Sequence, residues 1–243
     1  CSKSDLFFAI KGEKFDGHDF VRDVLKRGCK CAVVQKSWYS KNKKHLPAFK
    51  NKSLVVVKDT VEAIGKLANI YRSHFVIPVI AVAGSNGKTS TKDFVAHVLS
   101  KKYRILKTEG NLNNQLGVPL TIFRLNKKHD MAVVELGTNH FGEVKYLCEI
   151  LEPQFGVITN IGKEHLEFLK SISGAAKAEG ELVEYLEKVF GTFFLNADDK
   201  YLAKYRKSKS IKCVSFGFGK NPEVKGKILK FNKFYPEIEI KYG

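Results

Sequence analysis

Short apolar runs and segments with helical periodicity alternate along the chain. In the first third, three apolar runs predict β-strands: Leu6–Ile10, Cys31–Gln35 and Leu54–Val57. Two segments with apolar residues at helical spacing predict α-helices: Asp19–Arg27 and Thr60–His74. This order predicts a small N-terminal α/β domain, which we place at residues 1–76.

The pattern starts again near Pro78. Val79–Ala83 is apolar throughout, as is typical of a parallel strand buried on both faces. The alternation continues through helix Ser90–Lys101, strand Met131–Leu136, helix Glu143–Leu151, strand Phe155–Asn160, helix Ala175–Lys188 and strand Thr192–Asn196. In the first of these helices, the residues expected to face the core are Phe94, Val95, Val98 and Leu99. Strands that alternate with helices predict a doubly wound, mostly parallel sheet. We place this second domain at residues 77–243, with the joint near Phe75–Pro78.

Length and composition fit one large globular domain or two smaller ones. The chain has 243 residues, of which 44% are hydrophobic, so each domain has apolar residues for a core. No apolar run is long enough to span a bilayer, and no secretory signal peptide is visible at the start. Because the chain begins at Cys1 and not at Met, we expect the natural N-terminus to lie upstream.

The five cysteines are an odd number, which favours thiols over a disulfide framework. Cys29 and Cys31 would lie on one face of a strand, and the sequence has no second cysteine pair at metal-ligand spacing. We interpret the cysteines as reduced, buried thiols of a cytoplasmic protein.

The net charge of +17 has two interpretations. Strong basicity is typical of nucleic-acid-binding proteins. However, 36 of the 42 basic residues are lysines, scattered along the chain. Arginine, which recognises bases and phosphates with paired hydrogen bonds, is scarce, and no recognition-helix or zinc-finger motif accompanies the charge. We therefore expect no specific nucleic-acid partner, and keep a basic nucleic-acid-binding protein as the alternative from another class.

The most informative motif follows the strand Val79–Ala83, where Gly84–Thr89 has the pattern G-x-x-G-K-T. Glycines allow a tight turn whose N–H groups face an anion, and the following helix adds its positive end. Lys88 would neutralise the terminal phosphates of a nucleoside triphosphate, and the Thr89 hydroxyl would bind Mg²⁺. Val82 stands where the longer G-x-x-x-x-G-K-[ST] pattern has its first glycine.

The buried strand before this loop and the amphipathic helix after it make an incidental turn a poor explanation. We therefore predict ATP and Mg²⁺ as the ligands. The predicted nucleotide-binding residues are Gly84, Ser85, Asn86, Gly87, Lys88, Thr89 and Ser90.

Two more candidates lie at the same predicted sheet edge. Glu135 ends a predicted central strand, and His165 follows the strand Phe155–Asn160. Open α/β sheets bind ligands at the carboxyl ends of their strands, and Mg²⁺ needs oxygen ligands besides one hydroxyl. A glutamate at a strand end is often only solvated, and a single histidine is usually structural. The motifs by themselves therefore leave both roles open.

Five ordered stretches resemble the Mur ligases, cytoplasmic enzymes that extend the peptide of the peptidoglycan precursor. They are Phe7–His18, Ala83–Lys92, Thr108–Pro119, Glu135–His140 and Thr159–Glu167. The first resembles the domain that holds the uridine-diphosphate sugar, and the second resembles the ATP loop. The third resembles an asparagine-rich substrate loop, and the last two resemble the segments that bind two metals. The resemblance covers most of the chain.

The resemblance implies an ATP-dependent ligase that joins a carboxylate to an amine. ATP would phosphorylate the carboxylate of a UDP-N-acetylmuramoyl tripeptide, and an amine would attack the acyl phosphate. Lys88 and two Mg²⁺ ions would stabilise the transferred phosphoryl group, with Thr89 and Glu135 on the first ion and His165 on the second. The implied substrate-binding residues are Lys11, Gly12, Asp16, His18, Asn113 and Asn114. We expect a monomer.

Within the family, Gly137–Glu143 and the doubled Asn113-Asn114 are most similar to ligases that add D-alanyl-D-alanine, which is the implied second substrate. A ligase that adds the third amino acid is an alternative, although it usually has serines after the metal-binding glutamate. A folylpolyglutamate synthase-like ligase is another, and Asp16-Gly17-His18 argues against it. The resemblance also implies later segments beyond Gly243, so we expect this chain alone to bind ligands without turnover.

One position departs from the family pattern. Mur ligases usually have a carbamylated lysine near the second Mg²⁺, in the helix after the histidine segment, and here Glu179 stands at that position. Lys177 is the nearest lysine, and two residues correspond to about 200° around a helix, so both side chains cannot face one metal. Either Glu179 supplies the carboxylate or Lys177 is carbamylated after a register shift. We expect Glu179, on one face with Ala175 and Leu182, and count it with Lys88 and His165 as catalytic. A solvated helix face is the third possibility.

Overall fold

The described residues form two β-sheets, one of three strands and one of eight strands. The computed structural model describes residues 5–45, 52–164, 166–219, 221–231 and 235–243. The chain divides into two units between Leu67 and Ala68, within the helix Thr60–Ser73. The division lies earlier than the limit at residue 76 predicted from the sequence. The reason is that the end of this helix is bonded to the second unit, since Asn69 donates to the Glu149 carbonyl and Tyr71 to the Leu125 carbonyl.

The first unit has a three-stranded parallel sheet in the order β1-β2-β3. Its elements are β1 (Leu6–Phe8), a 3₁₀ helix (Gly17–Phe20), α1 (Val21–Lys26), β2 (Cys31–Gln35), α2 (Lys36–Asn42), a second 3₁₀ helix (Lys43–His45), β3 (Ser53–Val57) and the start of α3 (Thr60–Ser73). Its core consists of Ala9, Val21, Leu25, Ala32 and Val34.

The second unit has an eight-stranded sheet in the order β11-β10-β9-β8-β7-β4-β6-β5. The strands are β4 (Val79–Ala83), β5 (Ile105–Lys107), β6 (Met131–Glu135), β7 (Phe155–Ile158), β8 (Thr192–Asn196), β9 (Lys212–Gly217), β10 (Val224–Phe231) and β11 (Pro236–Tyr242). All neighbours are parallel except β10 and β11. The predicted α/β class with a mostly parallel sheet is confirmed.

The helices of the second unit are α4 (Lys88–Leu99), α5 (Gly117–Ile122), α6 (Glu143–Leu151), α7 (Leu166–Leu169) and α8 (Ile172–Lys188), followed by a 3₁₀ helix (Ala203–Lys207). One core cluster includes residues of α5, α6 and α8, and a second includes Val82 of β4 and Ala96 of α4. Within the described residues, every helix falls short of the length and apolarity that a membrane crossing requires.

The expectation that four apolar residues of α4 face the core is wrong for two of them. Phe94 and Val98 are 72% and 67% exposed, whereas Val95 and Leu99 pack against the core. The reason is the position of α4, which packs on β4, β5 and β6. Phe94 and Val98 therefore line an apolar groove beside Phe194 of β8.

Candidate active site

The carboxyl ends of β4, β6 and β7 bring the candidate residues of the second unit together. Val82 of β4 lies opposite Glu135 of β6, and Ala83 lies opposite Ile158 of β7. The phosphate loop Gly84–Gly87 leaves β4 at this edge, and α4 begins directly after it. Because β4 lies between the other two strands, the segments that follow all three meet at one point, where open α/β sheets bind ligands.

The phosphate loop depends on two glycines with left-handed backbone angles. The φ angle is +116° at Gly84 and +78° at Gly87, a region that other residues rarely adopt. A Cβ atom at Gly84 would also lie 2.8 Å from the backbone nitrogen of Thr159. A side chain at position 84 would therefore strain the loop and push it away from β7.

Protein acceptors already bind three of the loop amides. Gly84 N–H donates to Glu179 Oε2 at 2.8 Å, and Ser85 N–H donates to the Asn160 carbonyl at 2.9 Å. Asn86 N–H donates to Asn160 Oδ1 at 3.3 Å. These three bonds connect the loop to its neighbours, and the expectation that the loop amides bind an anion stays a prediction. The N–H groups of Lys88, Thr89 and Ser90, at the start of α4, have no acceptor within the helix and are candidates for binding phosphate.

Lys88 lies folded over the loop that precedes it. Its Nζ donates to the Gly84 carbonyl at 2.5 Å and lies 3.7 Å from Glu164 Oε2. Glu164 Oε1 accepts a hydrogen bond of 2.6 Å from Ser85 Oγ. The loop lysine thus has an acidic partner from the segment after β7.

Thr89, Glu135 and Asn113 form a second group. Thr89 Oγ1 donates to Glu135 Oε2 at 2.9 Å, and Asn113 Nδ2 donates to Glu135 Oε1 at 2.8 Å. The Glu135 backbone N–H donates to Thr108 Oγ1 at 2.9 Å. Glu135 is only 3% exposed, so these donors stabilise a carboxylate held at the strand end. The sequence prediction that Thr89 and Glu135 lie together agrees with this geometry, and neighbouring hydroxyl and carboxylate oxygens suit Mg²⁺.

A polar cleft of about 280 Å³ connects these residues to the asparagine-rich loop. It is lined by Lys88, Asn113, Asn114, Gln115, Gly137, Thr138, Asn139 and Glu143. Asn114 uses its Oδ1 to accept from the Leu116 and Gly117 amides, so its side-chain NH₂ is the group left for a ligand. The cleft has the size and hydrogen-bonding character for a polar ligand next to the phosphate loop.

Glu179 lies beneath the phosphate loop and is fully buried. Its Oε2 accepts from Gly84, and its Oε1 has no hydrogen-bond partner among the described residues. Burial, and then the charge of Glu164, raise the pKa of Glu179 well above that of an ordinary carboxyl group. Ala175 and Leu182 are buried with it, as expected. Lys177 is exposed, with its Nζ 5.6 Å from the centre of the Phe141 ring.

The second predicted metal ligand, His165, lies outside the described residues. In the described ranges, no three His, Cys, Asp or Glu side chains come together as metal ligands. The Glu179 oxygen without a partner is nevertheless a buried acceptor next to the phosphate loop, as a ligand of a nearby cation would be.

The four candidates near the N-terminus lie in one turn of the first unit. The backbones of Lys11 and Asp16 form an isolated antiparallel β-bridge, and Gly12 N–H donates to the Phe15 carbonyl. His18 is buried, with Nδ1 2.6 Å from Asp16 Oδ1 and Nε2 accepting from the Gln35 amide. Burial of the Asp16 carboxyl group tends to raise its pKa. Hydrogen bonds from the His18 backbone and ring outweigh burial, so the pKa of Asp16 is lowered. Both ring nitrogens of His18 therefore have partners, and one of these partners is Asp16.

Sequence reasoning assigned no role to Glu164 or Glu181. Glu164 precedes a predicted metal ligand, which was the only available signal. Glu181 of α8 accepts from the amides of Gly142 at 2.7 Å and Lys145 at 3.0 Å, and so caps α6 from a neighbouring helix. No local pattern in the sequence predicts this contact.

Comparison with known proteins gives the family. Residues 82–242 match the Mur ligase middle domain, and residues 1–72 match a domain described as "Mur ligase family, catalytic domain". The chain belongs to the Mur ligase family. The predicted resemblance is thereby confirmed, and the loop Gly84–Gly87 lies within the matched middle domain of this Mur ligase.

Two curated relatives are named UDP-N-acetylmuramoyl-tripeptide–D-alanyl-D-alanine ligase. The Escherichia coli (strain K12) protein is 39% identical over 194 residues, which are 80% of this chain and 40% of the relative. The Haemophilus influenzae protein is 37% identical over 226 residues, which are 91% of this chain and 47% of the relative. This Mur ligase chain therefore spans about half the length of these relatives or somewhat less.

Two solved structures are similar over nearly the whole chain. MurF from Acinetobacter baumannii has a TM-score of 0.86 and 33% identity, covering 99% of this chain and 51% of that one. A MurF ligase from Thermotoga maritima, in complex with ADP, has a TM-score of 0.86 and 26% identity, covering 99% and 53%. The fold described above is thus similar to about half of each of these ligase structures.

Proposed function

We propose that this chain forms the N-terminal and central parts of an ATP-dependent ligase that joins D-alanyl-D-alanine to a UDP-N-acetylmuramoyl tripeptide. The observation that carries the proposal is the contact between Thr89 and Glu135 at the end of the phosphate loop, with Asn113 on the same carboxylate. It supports a candidate Mg²⁺ site between the nucleotide loop and the asparagine-rich loop. The names of the relatives support the choice of substrates.

Each residue would have a distinct part in the reaction. Lys88 would turn from the Gly84 carbonyl to the phosphoryl group in transfer, where its charge offsets the negative charge that develops. The first amides of α4 would bind phosphate oxygens. Asn113 and Asn114 would position the carboxylate that receives the phosphoryl group, because they line the cleft next to Lys88.

Magnesium would be held by oxygen ligands that the chain provides. Thr89 and Glu135 are the candidates for the first ion. Glu179 and His165 are the candidates for the second, with the partnerless Oε1 of Glu179 as the favourable observation. Bound Mg²⁺ would supply Lewis-acid stabilisation of the phosphate charge. A raised pKa does not exclude this role for Glu179, because a nearby cation favours the carboxylate form.

The turn of the first unit would bind the uridine-diphosphate sugar. Lys11 is exposed and suits a diphosphate. Gly12, whose N–H is bonded to the Phe15 carbonyl, would allow the ligand a close approach to the exposed turn. Asp16, held by His18, would accept hydrogen bonds from hydroxyl or amide donors of the ligand. We further propose that the protein acts as a monomer in the cytoplasm.

The test is release of phosphate by the whole protein that contains this sequence. We expect ATP, the UDP-linked tripeptide and D-alanyl-D-alanine together to give rapid release, and single amino acids in place of the dipeptide to give little. Activity with a single amino acid on the UDP-linked dipeptide would assign the alternative, a ligase for the third residue. Absence of nucleotide-dependent activity with every acceptor would contradict the proposal.

A further inference from the structure

The phosphate loop contains an ion pair whose acid comes from another part of the chain. Glu164 follows β7, and its Oε2 lies 3.7 Å from Lys88 Nζ. Its Oε1 accepts a 2.6 Å hydrogen bond from the Ser85 hydroxyl. The two charged side chains are only 11% and 16% exposed, so water and salt screen them weakly.

Glu164 therefore contacts two groups that a phosphate of a bound nucleotide would also use. A loop of this kind binds phosphate through its lysine and through hydroxyl and amide donors. The Glu164 carboxylate accepts from Ser85 with one oxygen and faces Lys88 with the other, which is how two oxygens of one phosphate group would act. A carboxylate and a triphosphate thus compete for one ammonium group.

The charge that opposes a triphosphate here is that of Glu164. Lys88 is the cation paired with Glu164 in the described part of the chain, whereas burial raises the pKa of the neighbouring Glu179 and so favours its neutral form. An approaching triphosphate meets like charge where the local dielectric is low, and such repulsion is strong.

We propose that Glu164 acts as an internal competitor of the nucleotide phosphates and makes nucleotide binding by this loop dependent on Mg²⁺. The inference rests on the proposed function of Gly84–Thr89 as the nucleotide loop. Without a divalent cation, Glu164 holds Lys88 and repels the triphosphate. With Mg²⁺ on the nucleotide, the added positive charge offsets the repulsion, and Lys88 is released to the phosphate.

The experiment is calorimetric titration of the 243-residue chain with ATP and with inorganic tripolyphosphate, each in EDTA and in MgCl₂. Glu164→Gln keeps the side-chain volume and an oxygen for the Ser85 hydroxyl, but removes the charge. We expect it to bind both probes more tightly in EDTA by on the order of tenfold, because one like charge leaves a mostly buried site. In MgCl₂ the difference should be much smaller.

Glu167→Gln is the matched control, because it removes the same charge at an exposed position on the same segment. It should leave both affinities unchanged. Glu164→Ala provides a second variant if thermal melts show that Glu164→Gln is poorly folded, and it should also tighten binding in EDTA.

If Glu164→Gln binds the two probes in EDTA no more tightly than the unchanged chain, the inference is overturned. Binding of ATP in MgCl₂ would then still support the proposed function. Failure of every chain to bind ATP or tripolyphosphate in MgCl₂ would contradict the proposed function as well. The two failures are therefore distinguishable in one set of titrations.

Discussion

Glu179 Oε2 accepts a hydrogen bond from the backbone N–H of Gly84 at 2.8 Å, which connects the middle of α8 to the first residue of the phosphate loop. The second carboxyl oxygen has no partner among the described residues. An acceptor buried without a partner is costly, and such a cost is tolerated where the group has a function. The contact therefore places Glu179 both as a support of the loop and as a candidate metal ligand.

Glu179→Gln should slow turnover of the whole protein sharply. The amide keeps the size of the side chain and an acceptor for Gly84, but it loses the charge that would bind the second Mg²⁺. Lys177→Ala is the matched control on the same helix, because Lys177 is exposed and directed toward Phe141. It should matter little, and added bicarbonate should not affect the unchanged protein. If Lys177→Ala is inactive and a short-chain carboxylic acid restores its activity, then Lys177 is the carbamylated residue.

Lys88→Ala should reduce turnover by on the order of 10²-fold or more, because it removes the charge that would stabilise the transferred phosphoryl group in our proposal. Steady-state phosphate release is the measurement, and a thermal melt is the control for folding. Lys92→Ala is an unsuitable comparison, since buried Lys92 donates to the Thr108 carbonyl and supports the fold. Exposed Lys101→Ala is the better one. Near-normal turnover of Lys88→Ala would show that the loop has no catalytic part.

The larger elements were predictable because their patterns are local. Val79–Ala83 and Glu143–Leu151 have the limits predicted from the sequence. The first is a continuous apolar run, and the second has apolar residues at helical spacing along its whole length. The strand β5 (Ile105–Lys107) and the helix α5 (Gly117–Ile122) were not predicted, because they are too short to show periodicity. Phe94 has the spacing of a core residue, and only the position of α4 on the sheet shows that it is exposed.

The contacts of the site were less predictable than its residues. Thr89 and Glu135 were predicted at one sheet edge, because parallel strands align their carboxyl ends. The bond from Ser85 to Glu164 spans 79 residues, and the bond from Gly142 to Glu181 spans 39. Such pairs depend on the packing of helices and loops, which no local pattern specifies. The engaged amides of the phosphate loop were missed for the same reason.

Nucleic-acid binding should be weak and without sequence preference, despite the net charge of +17. Scattered lysines attract the phosphate backbone of nucleic acids, and the affinity that results falls steeply as the salt concentration rises. Fluorescence anisotropy with mixed and defined DNA and RNA, at low and physiological salt, is the measurement. Tight, sequence-dependent binding at physiological salt would favour the alternative class of a nucleic-acid-binding protein.

The last prediction concerns Glu181, which caps α6 from α8. The residue before α6, Gly142, has a left-handed φ of +87° and no side chain, so the helix has no cap of its own there. Glu181 supplies the acceptors, with one oxygen on the Gly142 amide and one on the Lys145 amide. A carboxylate near the positive end of a helix also gains from the helix dipole.

Glu181→Ala should lower the free energy of unfolding by about 1 kcal/mol, the usual effect of losing a helix cap. Glu181→Gln should cost less, because the amide retains one acceptor for the two N–H groups. Glu184→Ala is the matched control, since it makes the same change in helix propensity at an exposed position of α8. Urea unfolding of the 243-residue chain is the measurement. Equal stability of the Glu181→Ala and Glu184→Ala chains would mean that the two hydrogen bonds do not stabilise α6. In the whole protein, Glu181→Ala should also raise the KM for the UDP-linked tripeptide more than it lowers kcat, because residues that precede α6 line the polar cleft proposed to hold its carboxylate.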